Sequence, residues 1–148
     1  MQQRGFEIIT AYLDADISLP TRQTAHSAGY DMEAAAAVVL QPKSVTMIPT
    51  GLKAYMREDE YLGVHIRSGF SFKNQVSLIN SQGIIDADYY NNPDNEGHIL
   101  IGVFNYGTKA ISVKKGDRIA QGIFSKYLRV DADIADNTRT GGLGSTGK

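Results

Sequence analysis

At 148 residues the chain has room for one hydrophobic core of ordinary size and little beyond it. Its 42% hydrophobic and 21% charged residues exclude a disordered or fibrous chain, and a formal charge of -1 gives no sequence-wide attraction for long nucleic acid or an anionic membrane. The lack of cysteine removes disulfides, thiolate-held zinc, iron–sulfur clusters and thiol nucleophiles, and with no secretory stretch or membrane-spanning apolar run the expected compartment is cytoplasmic.

Fifteen glycines fall at short intervals among short apolar runs, the pattern of many turns and so of many strands, and the expected class is all-β. Period-two alternation begins at residues 6–8 and continues through Thr10 and Tyr12. Residues 32–39 are rich in alanine, which favours a helix, yet the segment is short, turns to Val38-Val39-Leu40 and stops at Pro42, so it is read as a strand. A short helical turn is expected near residues 70–73. Strands follow at residues 76–79 and 98–106, the latter with Ile99, Ile101 and Val103 facing one side. Residues 110–114 come after the turn Tyr106-Gly107-Thr108-Lys109, and residues 118–128 hold Ile119, Ile123 and Phe124, so a hairpin is expected in this stretch. From residue 131 apolar periodicity is lost. The chain therefore divides into a β domain over residues 1–130 and a flexible arm over residues 131–148.

Several groups of residues bear on chemistry. The ending Gly142-Leu143-Gly144-Ser145-Thr146-Gly147-Lys148 has the letters of a phosphate-binding P-loop, but no Ser or Thr follows the Lys and no helix succeeds it, which rejects an ATPase reading. What survives is an anion-binding arm in which glycine N–H groups, Ser145, Thr146 and Arg139 donate to a polyphosphate, with a plain polar terminus as the equal alternative. Asp86 and Asp88 beside Tyr89 and Tyr90 share a face if extended; on a turn, one could aim at a water and the other at a cation such as Arg118. Taken alone, two solvated carboxylates is the simpler reading. Arg67-Ser68-Gly69 ends an apolar run and offers a cation, a hydroxyl and a glycine N–H, though by itself a simple turn explains it. Asp131, Asp133 and Asp136 lack the glycine and closing glutamate of a calcium loop, and His26, His65 and His98 share no metal-ligand spacing.

In order along the chain, Ala28-Gly29-Tyr30-Asp31-Met32, Arg67-Ser68-Gly69, Asn80-Ser81-Gln82-Gly83-Ile84-Ile85-Asp86-Ala87-Asp88-Tyr89, Gly116-Asp117-Arg118-Ile119-Ala120-Gln121 and Arg139 with Gly141 to Gly147 resemble the five motifs of trimeric dUTPases. The resemblance implies a distorted jelly-roll β-barrel, a homotrimer with sites at subunit interfaces, and a C-terminal arm closing over a neighbour's active site. It implies hydrolysis of dUTP to dUMP and pyrophosphate with Mg2+, which limits uracil incorporation into DNA and supplies dUMP. Asp86 matches the water-activating carboxylate. Arg67, Ser68, Gly69, Gln121, Arg139, Gly144, Ser145 and Thr146 match phosphate contacts, and Asp31 matches an outer-sphere partner of magnesium. Asn80 with the backbone of Gly83, Ile84 and Ile85 matches the reader of uracil, Tyr89 the ring stacked on the sugar, and Arg118 an arginine expected to pair with a carboxylate such as Asp88.

Two departures from the family pattern stand out. Leu143 occupies a position where many relatives carry phenylalanine over the uracil, so Tyr90 or another aromatic is expected to cover the base. Residues 90–97 are longer than the usual tight turn and are similar to members from Gram-positive bacteria and their phages. Phage relatives sequester transcriptional repressors, so a repressor-type partner contacting this stretch is a second expectation. A third is dCTP deamination on the same barrel, for which residues 98–106 offer no suitably placed glutamate.

Overall fold

The computed structural model describes residues 1–144. Its strands are β1 (Gly5–Ile8), β2 (Tyr30–Glu33), β3 (Val38–Leu40), β4 (Val45–Pro49), β5 (Leu52–Tyr55), β6 (Glu60–Ile66), β7 (Val76–Leu78), β8 (Gly83–Asp86), β9 (Leu100–Asn105), β10 (Ile111–Val113) and β11 (Arg118–Lys126), with one helix, α1 (Ser68–Asn74), between β6 and β7. All pairings between them are antiparallel. They form four small sheets, β1-β5, β10-β3, β2-β11-β6-β8 and β4-β9-β7, wrapped around one core.

The alternation read from the sequence is what fills that core. Ile99, Ile101 and Val103 are fully buried on one face of β9, and Leu62 and Val64 project inward from β6. Met32, Leu40, Ile48, Leu52 and Ile119 complete it. Side chains of this size each stabilise the fold by about 1.5–3 kcal/mol when removed from water. Ile119 and Ala120 are consecutive yet both buried, because the register of β11 on β2 shifts between Arg118 and Ala120. That bulge interrupts strict alternation and turns Arg118 toward β2.

Four local expectations need correction. The alternation at residues 6–12 stops at Ile8, and Thr10–Tyr12 is a 3-10 turn. The alanine-rich strand is two strands, β2 and β3, separated by a bend in which Ala34 and Ala35 are buried. Here Ala34 N–H donates to Asp117 O at 2.9 Å and Ala35 N–H to Pro49 O at 2.8 Å, so small side chains serve close backbone approach rather than a helix. The helical turn near residues 70–73 is present but runs over all of α1. No hairpin forms where one was expected: β10 pairs with β3, and β11 with β2 and β6. The fully buried Asn105 directs this crossing, since its Nδ2 donates to Leu40 O at 3.0 Å and Lys109 O at 2.9 Å while its Oδ1 accepts Gly107 N–H at 2.9 Å.

Beyond β11 the described residues hold no strand or helix. No helix among them is long and apolar enough to cross a membrane.

Candidate active site

The site is built outward from one edge strand. In the order β2-β11-β6-β8, β8 is bonded among the described residues only to β6, with Val64 opposite Gly83, Leu62 opposite Ile85 and Tyr61 opposite Asp86. Its outer N–H and C=O groups therefore have no partner strand, a ready template for a hydrogen-bonding ligand. The turn before it is tight. Ser81 takes φ 64, its N–H donates to Leu78 O at 3.0 Å, and Gln82 Nε2 donates to His65 Nε2 on β6 at 3.0 Å.

Beside this strand lies a cavity of about 180 Å3 lined by Asn80, Gly83, Ile84 and Ile85, by core residues including Ile99, and by Leu143 of the arm. Among the described residues Asn80 is the one polar side chain in an otherwise apolar lining, which suits a flat ring with a hydrogen-bonding edge. No aromatic lines the cavity among the described residues. Tyr90, expected as the substitute cover, turns away: its hydroxyl donates to Glu7 Oε1 at 2.5 Å and its ring packs on Tyr55. The Glu7 carboxylate pushes the Tyr90 phenol above its ordinary pKa, with burial adding to the shift. Leu143 is the arm residue among the cavity's described lining.

At the other end of β8 the chain enters a 3-10 turn, Ala87–Tyr89, which separates the two carboxylates. Both meet one cation. Arg139 Nη2 donates to Asp86 Oδ2 at 2.7 Å and Nε to Asp88 Oδ1 at 2.7 Å, and the guanidinium carbon lies 5.7 Å from the centre of the Tyr89 ring. Tyr89 is buried, with its hydroxyl donating to His98 O at 2.7 Å and accepting from Asn95 Nδ2 at 2.9 Å. Burial raises its phenol pKa, opposed by the Asn95 bond and the Arg139 charge.

A second group stands apart. Arg67, Ser68 and Gly69 open α1, and Arg67 and Gly69 line a groove of about 400 Å3 with Lys73, Asp117 and Arg118. Three cations against one carboxylate favour an anion there. Gln121 on β11 lies opposite His65 of β6 and Asp31 of β2. Arg118 Nη1 meets Asp31 Oδ2 at 3.5 Å, so the expected pairing of Arg118 with Asp88 is replaced by one with Asp31, its neighbour across the β2-β11 ladder. Of the expected site residues, Asn80, the strand Gly83–Asp86, Tyr89, Arg139 and Leu143 thus gather on one face. Asp31, Arg67, Ser68, Gly69 and Gln121 belong to another region, and the two cavities share no lining residue. Gly144 is exposed at the end of the described arm, and Ser145 and Thr146 lie outside the described residues.

Some residues around the site escaped sequence reasoning. Lys53, nearly buried, donates to Asn91 Oδ1 at 2.6 Å and Glu96 Oε2 at 2.8 Å and lies 5.1 Å from the Tyr90 ring centre. The Lys53 bond holds the Glu96 carboxyl below its usual pKa. A lysine amid the apolar residues of β5 was a signal, as was the turn-forming run Asn91-Asn92-Pro93-Asp94-Asn95.

The dUTPase family profile matches residues 15–147. Among curated proteins, the chain is 49% identical to the deoxyuridine 5'-triphosphate nucleotidohydrolase of Lactococcus lactis, over 99% of each chain. It is 36% identical to the enzyme of the same name from Leptospira interrogans, covering 95% of this chain and 99% of that one. The crystal structure of dUTPase from Streptococcus mutans superposes with a TM-score of 0.82 at 44% identity, covering 86% of this chain and 99% of that one. The dUTPase from phage phi11 of Staphylococcus aureus, at 19% identity, shares the fold with a TM-score of 0.73 over 94% of this chain and 99% of that one. A profile that spans nearly the whole chain, joined to a named relative matched end to end, shows that the chain belongs to the dUTPase family of nucleotide hydrolases and that its sheets form that family's distorted jelly-roll barrel.

Proposed function

We propose that this chain hydrolyses dUTP to dUMP and pyrophosphate, with Asp86 as the base that orients and deprotonates the attacking water at the α-phosphorus. The observation that carries the reading is the apolar cavity running along Gly83, Ile84 and Ile85 of β8, with Asp86 at the strand's C-terminal end. A four-residue strand spans about 10 Å, comparable to the reach of a nucleoside from its base to its 5′-phosphate. Uracil is read by Asn80 and by the outward backbone groups of Gly83, Ile84 and Ile85. Cytosine presents the opposite donor pattern and would leave those groups unpaired, while the methyl of thymine would meet the cavity wall. Tyr89 stacks on the deoxyribose.

The phosphates are held by Arg67, Ser68, Gly69 and Gln121 and by the arm through Arg139, Gly144, Ser145 and Thr146. In the free protein Arg139 is taken up by Asp86 and Asp88. A triphosphate competes for that guanidinium, and its transfer to the phosphates releases Asp86 to hold a water. Because the base face and the anion groove lie on separate regions of one chain, the reading includes a homotrimer in which they meet across subunits, the arm completing each site.

Among the described residues no group of three or more His, Cys, Asp or Glu gathers into a metal cage, and Asp31 is a single carboxylate beside Arg118. This donor set fits a hydrated magnesium ion, which Asp31 would hold through water. Bound there, magnesium neutralises charge on the phosphates, as phosphoryl transfer requires.

A repressor-binding role for residues 90–97 has less support, because Tyr90, Asn91, Asn92, Asn95 and Glu96 all spend polar groups on bonds within the chain. The test is pyrophosphate release from a panel of dUTP, dCTP, dTTP and UTP, with ammonia release from dCTP as the deaminase arm. Release from dUTP alone is expected. Equal release from all four, or ammonia from dCTP, would overturn the reading.

A further inference from the structure

The turn that carries Asn80, residues 79–82, is exposed throughout. Its backbone bonds are few. Ile79 N–H donates to Gly102 O at 2.8 Å, while Ser81 N–H donates to Leu78 O at 3.0 Å and Gln82 N–H to Asn80 O at 2.6 Å, both of them local. Among the described residues a single side-chain bond reaches from this turn to the body of the fold, that from Gln82 Nε2 to His65 Nε2 at 3.0 Å.

The sheet is built to allow that bond. Gly83 pairs with Val64 across the ladder of β6 and β8, so the next register position sets Gln82 opposite His65. Gly63 lies on the same face of β6 as His65, and a Cβ there would stand 2.8 Å from Gln82 Nε2 and 3.3 Å from His65 Cε1. The Nδ1 atom of His65 is buried with no hydrogen-bond partner among the described residues, which leaves Nε2 as the ring's one polar contact. A phenyl ring would fill the same space without stranding a nitrogen, so packing alone does not account for an imidazole, whereas an acceptor at Nε2 does.

We infer that His65 is a positioning residue for the base: through Gln82 it fastens the exposed turn that presents Asn80 and the first backbone groups of β8 to the cavity. The inference rests on the functional reading above, in which Asn80, Gly83, Ile84 and Ile85 read uracil. His65 does not itself line the cavity. Its loss therefore loosens how the base is held and leaves the chemical step nearly intact.

Hydrogen exchange followed by NMR tests the fastening without any substrate. The Ser81 amide reports the turn, and the Ile99 amide, bonded to Leu52 O at 2.8 Å, reports the whole fold. Gln82→Ala, at an exposed position, and His65→Asn, whose amide stands where Nδ1 stood and falls short of Gln82, should each speed exchange at Ser81 about fivefold relative to Ile99, the scale of one hydrogen bond. Gly63→Ala should act like them, since its methyl displaces the tip of Gln82 while both partners are kept. His65→Gln, which puts an amide oxygen close to the place of Nε2, should keep the parent rate. With dUTP, Gln82→Ala, His65→Asn and Gly63→Ala should raise KM about fivefold with kcat within about twofold of the parent, a split that loss of folded enzyme would not produce, and His65→Gln should match the parent. Parental exchange at Ser81 in both Gln82→Ala and His65→Asn would overturn the inference. So would an equal rise at Ser81 and Ile99, a His65→Gln variant as loose as His65→Asn, or faster exchange at Ser81 with a parental KM. Failure of the parent protein to hydrolyse dUTP would instead overturn the functional reading, and the exchange result would still decide the fastening.

Discussion

Arg139 and Asp86, 53 residues apart in the chain, are joined by an ion pair of 2.7 Å in which the guanidinium is almost buried and the carboxylate half exposed. The arm's cation thus occupies the group proposed to activate water, and Asp88 shares it. A nearly buried cation held by two carboxylates ties the arm to the end of β8.

Folding and catalysis should separate at the arm. Residues 138–144 supply none of the fully buried core side chains, yet they carry Arg139 and Leu143. A chain ending at Asn137 should stay trimeric by sedimentation and melt at nearly the same temperature, while kcat/KM for dUTP falls about a hundredfold, the scale of losing positioned phosphate donors. Full activity in the shortened protein would remove the arm from the site.

Tyr89 offers two separable groups. Tyr89→Ala removes the ring proposed to stack on the sugar, so dUTP should weaken and UTP should gain relative to it by about tenfold. Tyr89→Phe loses only the bonds to His98 O and Asn95 and should keep the parent preference. An unchanged ratio of kcat/KM for dUTP and UTP in Tyr89→Ala would contradict the role.

Acid should weaken the fold through His98. Its Nε2 accepts Gly51 N–H at 2.9 Å, a bond made only by the neutral ring, and burial pushes its pKa below the ordinary 6.5. Between the folded pKa and about 6.5 the unfolded chain binds more protons, so stability is complete above about 6.5 and is lost as pH falls through that window. The carboxyls of Glu60 and Glu96, lowered chiefly by their bonds to Arg4 and Lys53, act in the same sense but only below 4.5. The melting temperature should fall between pH 7 and 5, and His98→Gln should flatten that slope. An equally steep slope in the variant would assign it elsewhere.

Asn105→Ala should cost about 2 kcal/mol, because it removes three bonds, strands the carbonyl of Leu40 in the core and leaves the part-buried Lys109 O and Gly107 N–H to water. Urea unfolding would show this as a lower midpoint with an unchanged slope. A midpoint equal to the parent's would mean that water replaces the side chain without loss.

Local patterns were readable where the answer is local. Alternation placed Ile99, Ile101 and Val103 in the core, and the run from Asn80 to Tyr89 marked a turn, strand and acidic pair that the fold keeps together. Partnerships across the chain were not readable. The strand β10 follows a good turn yet pairs with the distant β3, since the side chain of Asn105, rather than a ladder, organises that corner. The pairing of Arg118 with Asp31 rather than Asp88 depends on the bulge in β11, and nothing in sequence spacing links Arg139 to Asp86 and Asp88. The role of Lys53 shows only in the fold, where Asn91 and Glu96 surround a lysine that sequence spacing does not link to them.

The most direct measurement is the turnover number of Asp86→Asn with dUTP. The substitution keeps size and a hydrogen-bonding oxygen but removes the charge, so the fold and KM should stay close to the parent's. Turnover should fall by about a hundredfold or more, the contribution of a positioned general base. A variant that hydrolyses dUTP within a few-fold of the parent would show that Asp86 does not activate the water.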